Sequence, residues 1–149
     1  MSENTELVIK HFSELSAFEL HEILRIRSQV FVVEQNCVYQ DVDGKDIGAY
    51  HIYIRDGEGI QACLRVLDKG VSFPEAAIGR VVSVKRRMGL ASRMLNAAVD
   101  VAREKFGADV ISLEAQVYAR SLYEKIGFVQ TSEEFLEDGI PHIKMTLEL

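Results

Sequence analysis

Apolar residues recur along this chain with two periods, one near two residues and one near three to four. Leu7 to Phe12 predicts a first strand, ended by the polar Ser13 to Ser16. Ser16 with Glu19 three residues later has the spacing of a capping box, which predicts a helix from about Ala17 to Val30. Phe18, Leu20, Ile23, Leu24, Ile26, Val30 and Phe31 give it a broad buried stripe. Glu34 to Gly48 is polar and acidic and predicts a long surface loop. Ala49 to Arg55 and Ile60 to Leu67 read as two strands around the Asp56-Gly57-Glu58-Gly59 turn, and Ala76 to Val84 as a further strand after the Lys69-Gly70 link.

Leu90, Met94, Leu95, Ala98, Val101, Ala102 and Phe106 then fall on one helical face, with Ser92, Arg93, Asn96, Asp100, Arg103 and Glu104 on the wet one. Gly107 is a helix stop. A strand over Val110 to Ala115, a short helix over Ala119 to Lys125 closed by Gly127, and strands over Phe128 to Thr131 and Ile140 to Leu147 complete the pattern, with Glu133 to Gly139 as a connection. The order predicts an α/β (α+β) fold in which helices flank a mixed sheet of about six to seven strands.

At 149 residues one domain, 1–149, is expected, large enough for a core without metals or disulfides. A net charge of −6 argues against general nucleic-acid or anionic-membrane binding. Lys85-Arg86-Arg87 is the dense basic cluster and suits a small polyanion better than a polymer. The acidic Met1 to Glu6 segment lacks the basic and apolar parts of a signal peptide, and no apolar run reaches membrane length. A cytoplasmic location is therefore expected, with Cys37 and Cys63 as two free thiols rather than a metal or redox pair.

The richest stretch is Val81 to Ala91, where a β-branched run breaks into a basic, glycine-bearing turn that opens a helix. The first amides of a helix lack intrahelical acceptors and carry the positive end of its dipole, so they receive anionic oxygens. Arg86, Gly89 and Ala91 form an R-x-x-G-x-A pattern, which taken alone fits a phosphate cradle and a plain strand-to-helix turn equally. After the next strand comes Ala119-Arg120-Ser121-Leu122-Tyr123-Glu124-Lys125-Ile126-Gly127-Phe128.

These two motifs, in this order and at this separation, resemble the GNAT N-acetyltransferase superfamily. Val30 to Asn36, Asp43-Gly44, Ile78 to Val82 and Glu137 to His142 extend the resemblance to its ElaA-like branch over nearly the whole chain. The resemblance implies acetyl-CoA as the acyl donor, bound where two parallel strands splay apart to form an acyl-CoA cleft, here Ala76 to Val84 and Val110 to Ala115. Main-chain groups of Val82 and Val84 would meet the pantetheine amides, and amides from Arg87 through Met88, Gly89, Leu90, Ala91 and Ser92 the pyrophosphate. Side chains of Lys85, Arg86 and Arg87 would add charge or stay solvated.

Tyr123 matches the family's usual general acid, which donates a proton to the departing thiolate; a core-packed tyrosine ring is the structural alternative, and the two are compatible. Gln116 stands where the family commonly has asparagine, and only Lys85 separates Val84 from Arg86, a shorter link than the family's. Glu34, Gln35, Tyr39 and His142, from the branch-like segments, are expected to line the acceptor site. Glu34, Glu114 and His142 are the candidate bases.

Asp41 to Asp46 misses the spacing of a calcium loop, leaving an acidic loop near an amine or a solvated turn. His51 reads as a hydrogen-bonded structural residue, and Arg65 and Arg80 either pair with acids or bind a substrate carboxylate. The expected activity is direct acetyl transfer to the primary amine of a small molecule or peptide. A CoA-binding regulatory module, or transfer of a longer acyl chain, are the competing readings. The fold's exposed strand edges are compatible with a homodimer.

Overall fold

The computed structural model describes residues 4–85 and 89–149. Strand β1 (Glu6–His11) leads through a single 3-10 turn into helix α1 (Ala17–Arg27). The helix starts at the expected capping box: Ser16 Oγ accepts the Glu19 amide at 3.0 Å and Glu19 Oε1 accepts the Ser16 amide at 2.8 Å. Such a cap contributes about 1 kcal/mol.

The α-helix ends at Arg27 rather than at Val30, and Ser28–Glu34 continues as a π-helical segment. The amides of Gln35 and Cys37 donate to carbonyls five residues back, on Val30 and Val32, at 3.2 and 3.1 Å. Val30, Val32 and Val33 crowd an α turn, so the β-branched run favours the wider winding. Segments of this kind re-aim side chains and recur at functional sites.

The remaining elements are β2 (Tyr50–Asp56), β3 (Gly59–Leu67), β4 (Ala76–Ser83), α2 (Leu90–Phe106), β5 (Val110–Gln116), α3 (Arg120–Ile126), β6 (Val129–Gln130), β7 (Phe135–Glu137) and β8 (Ile140–Glu148). Among the described residues the sheet has eight strands, in the order β1-β2-β3-β4-β5-β8-β6 with β7 also on β8, against the six to seven expected. The additional strand, β7, lies in the segment predicted as a connection. It pairs with β8 through Asp138-Gly139, both at positive φ (52° and 78°), as a two-residue hairpin turn requires.

Two irregularities of β4 shape the site. It pairs in parallel with β5 only at Ala76↔Ile111 and Ala77↔Ser112, after which the strands part. On its other side a bulge sets two residues, Arg80 and Val81, against Leu64 of β3, with Arg80 in the left-handed region at φ 52°. The extra residue inverts the side-chain phase: Ile78 packs under α2 with Met94, Leu95 and Ala98, whereas Val82 joins Ile23, Ile26 and Val30 on the opposite face.

Cys37 and Cys63 are buried thiols, and burial pushes Cys63 up to about 12. Among the described residues no helix is long and apolar enough to cross a membrane.

Candidate active site

Where β4 and β5 part, a cleft of about 470 Å³ opens, within the range of small-molecule sites. Val82 of β4, Ala91 of α2, Gln116 of β5, and Leu122 and Tyr123 of α3 line it. So do Gln35 and Tyr39 from the loop after the π-helical segment, Glu114 of β5, and Glu137 and His142 from the β7–β8 hairpin.

Tyr123 is 7% exposed, its ring edge-on to Phe128 with centroids 6.2 Å apart. Its hydroxyl makes no hydrogen bond among the described residues. Burial, reinforced by Tyr118, raises its pKa, so the oxygen keeps its proton at neutral pH. The core-packing role and a hydroxyl at the cleft wall thus coincide.

At the start of α2, Gly89 occupies the cap position at φ 71° with no side-chain cap. The first intrahelical bond runs from the Arg93 amide to the Gly89 carbonyl at 3.2 Å, so the amides of Leu90, Ala91 and Ser92 precede it. A side chain at position 89 would be strained at that φ. Arg86, Arg87 and Met88 lie outside the described residues.

Two expectations on the strand-to-helix link are corrected. The Val84 amide donates to the Gln61 carbonyl at 2.8 Å, so it is committed to β3 and not to a ligand. Lys85 reaches back to the β2–β3 turn, with Nζ 2.7 Å from Asp56 Oδ2, because that turn presents carboxylates beside the short link.

Of the acceptor-site candidates, Gln35, Tyr39 and His142 line the cleft and Glu34 does not. The π-helical winding leaves Glu34 exposed, its carboxylate 3.4 Å from the Gln29 amide. Gln35 and Gln116 bond each other through both side-chain amides. His142 Nδ1 donates to the Ile140 carbonyl at 2.7 Å, and its Nε2 lies 3.7 Å from the Glu137 carboxylate.

Glu114 makes no hydrogen bond or ion pair among the described residues. Partial burial, then the nearby Glu137 carboxylate, raise its pKa.

The acidic loop is not a solvated turn, because arginines hold its carboxylates. Arg27, 1% exposed on the last turn of α1, binds Asp41 at 3.0 Å and Asp46 at 2.7 Å. Arg65 holds Asp43 at 2.8 Å and Asp46 at 3.2 Å, and Arg80 holds Asp41 at 2.9 Å and Asp43 at 3.2 Å. Three arginines thus meet three aspartates. Burial works against the charge on Asp43 and Asp46, but Arg65 and Arg27 respectively outweigh it and hold both carboxyls below the usual range. Tyr39 joins this cluster, donating to Asp41 at 3.0 Å beneath the Arg80 guanidinium. Arg27 carried no signal in the sequence, since an arginine amid a helical pattern reads as surface.

Residues 79–149 match the family model described as the acetyltransferase (GNAT) domain. A UPF0039 protein of Schizosaccharomyces pombe is 37% identical over 98% of this chain and 99% of its own length, and ElaA of Escherichia coli is 34% identical over 93% of this chain and 94% of its own. The chain belongs to the ElaA-like branch of the GNAT acyltransferases. The crystal structure of Escherichia coli ElaA superposes with a TM-score of 0.90 at 32% identity, covering 97% of this chain and 100% of that one. An acyl-CoA N-acyltransferase from Pseudomonas aeruginosa gives 0.87 at 36% identity, covering 95% and 98%. In this ElaA-like chain the segments that carried the resemblance converge in space: Gln35, Asp43, Ile78, Val82, Asp138 and His142 all line one cleft.

Proposed function

We propose that the protein transfers an acetyl group from acetyl-CoA to the primary amine of a small molecule or peptide. The observation that carries this reading is the Tyr123 hydroxyl, unengaged within the described residues, at the wall of the cleft between the parted strands. The residues present suit an acyl-CoA. Beyond Ala77 and Ser112 the facing edges of β4 and β5 no longer pair with each other, which suits an amide-bearing pantetheine arm. By the register that pairs Cys63 with Val82 and bonds the Val84 amide to Gln61, Val82 and Val84 turn their main-chain groups to β3. The intervening Ser83 turns its own away from β3, toward the parted side, while the uncapped amides of Leu90, Ala91 and Ser92 suit the pyrophosphate.

Glu114 is the base in this reading, because its carboxylate lines the cleft on β5 with no partner among the described residues and keeps a raised pKa there. It takes one proton from the incoming ammonium, directly or through a water, and passes it to solvent. The amine lone pair then forms a C–N bond to the thioester carbonyl carbon. As the C–S bond breaks, Tyr123 donates its proton to the departing sulfur and regains one that the new amide nitrogen sheds.

The test is thiol release from acetyl-CoA with an amine panel, alongside calorimetric CoA binding. Tyr123→Phe is expected to lower thiol release about 100-fold with CoA binding retained. Failure of the protein to bind CoA would overturn the reading, and unchanged turnover in Tyr123→Phe would remove that residue from it.

A further inference from the structure

Arg65 is 4% exposed and lines the cleft, yet its hydrogen bonds are incomplete. Nη1 and Nη2 bind Asp43 and Asp46, whereas Nε, also buried, has no hydrogen-bond acceptor. Buried donors in native structures are almost always paired, so an unmet one at a cleft wall points to a ligand atom. Because three arginines face three aspartates, Arg65 offers a directed N–H more than surplus charge.

A second observation lies beside it. Gly79 is the cross-strand partner of Arg65, and a Cβ built on it would meet, within 4 Å, only Arg65 Nε, at 3.8 Å. The absence of a side chain at position 79 therefore leaves a gap directly under the unmet donor. The parallel register that pairs Ala76 with Ile111 and Ala77 with Ser112 brings Gly79 level with Glu114 as the strands part. Ile78 and Leu113 pack under α2, so Gly79 and Glu114 face the other way, into the cleft. Arg65, Gly79 and Glu114 thus form one transverse row across the parting strands. The unmet donor over Gly79 of β4 and the Glu114 carboxylate of β5 sit at facing strands, where one small molecule can present an oxygen to the first and an amine to the second.

The geometry points to an acceptor that carries a carbonyl or carboxylate oxygen a few bonds from its amine, the oxygen accepting Arg65 Nε over Gly79 and the amine facing Glu114. This assignment rests on the acetyltransferase reading above and names the class of amine it takes: amino acids, amino amides or peptide N-termini.

The experiment measures thiol release from acetyl-CoA with matched sets: glycine, glycinamide and methylamine; leucine, leucinamide and 3-methylbutylamine; phenylalanine, phenylalaninamide and 2-phenylethylamine. In at least one set an oxygen-bearing member is expected to exceed its bare amine in kcat/KM by about tenfold or more. Acid against amide tells carboxylate from carbonyl. Gly79→Ala puts a methyl in the gap and is expected to erase that ratio by raising KM for the oxygen-bearing member. Bare amines used as well as or better than their partners, or a ratio that survives Gly79→Ala, would overturn the assignment while leaving acetyl transfer standing. Thiol release from none of the sets by a CoA-binding protein would overturn both readings.

Discussion

Gln35 and Gln116, 81 residues apart, exchange two side-chain amide hydrogen bonds, at 3.2 and 3.1 Å. Gln35 follows the π-helical segment and Gln116 ends β5, so the pair ties the front layer of the molecule to the lip of the cleft. In a double-mutant cycle, Gln35→Ala and Gln116→Ala are expected to show a coupling of about 1 kcal/mol in urea unfolding, as a partly buried amide pair should. Additive losses would mean that the two bonds contribute no net stability.

Glu114 and Glu137 are coupled by like charge. Burial raises the Glu114 pKa, and the Glu137 charge adds to the rise. If Glu114 is the base, activity grows as it ionises, so its raised pKa moves the acid limb of the pH–rate profile upward. Glu137→Gln removes a like charge, which lowers the Glu114 pKa and shifts that limb to lower pH. Glu114→Gln is expected to lower kcat and flatten the limb. A limb that keeps its position in Glu137→Gln would separate the two carboxylates.

Local chemistry was legible in the sequence and tertiary chemistry was not. The Ser16–Glu19 cap, the apolar face of α2 and its Gly107 stop depend on neighbours within a few residues, and each stands where the pattern put it. The β7–β8 hairpin had its signal too, in Asp138-Gly139, but a three-residue strand is too short to show a period. The π-helical segment escaped because apolar spacing reads the same for α and π windings over one turn. The fate of the acidic loop depended on Arg27, Arg65 and Arg80, which come from three distant segments and meet only after folding. The commitments of Val84 to Gln61 and of Lys85 to Asp56 are likewise properties of the β3 edge and the β2–β3 turn, not of the motif that contains them.

The arginine–aspartate cluster is expected to be costly to break from one side. Arg27 makes bonds to Asp41 Oδ2, the Asp41 carbonyl and both oxygens of Asp46. Arg27→Met leaves the buried Asp41 and Asp46 carboxylates to Arg80 and Arg65 alone, and removing one partner of a buried ion pair typically costs about 3–5 kcal/mol. Arg27→Lys keeps the charge but lacks the fork that spans both partners, so it should recover only part of the loss. Urea unfolding of the two variants checks this; a loss below about 1 kcal/mol in Arg27→Met would mean that water replaces the guanidinium.

His51 links the same cluster to pH. It is 1% exposed, and its Nε2 donates to the Asp46 carbonyl at 3.0 Å. Burial lowers its pKa below the ordinary 6.5, with Arg27 and Arg65 adding to the effect against the Asp46 contacts. The unfolded chain therefore takes up a proton near 6.5 where the folded one does not, and stability falls as pH drops through that region. The carboxylates act lower. Burial would raise Glu19, but the Ser16 amide, the Tyr53 hydroxyl and the Lys10 ammonium hold it at about 2, against 4.5 when unperturbed. Its contribution is complete above about 4.5 and is lost as pH falls toward 2, joined by those of Asp43 and Asp46. Thermal unfolding should therefore show two declines, one between pH 7 and 5 and a steeper one below about 4.5. His51→Gln keeps a donor for the Asp46 carbonyl without the titration, so it is expected to flatten the first decline and spare the second; equal slopes between pH 7 and 5 in both proteins would assign that decline to other groups.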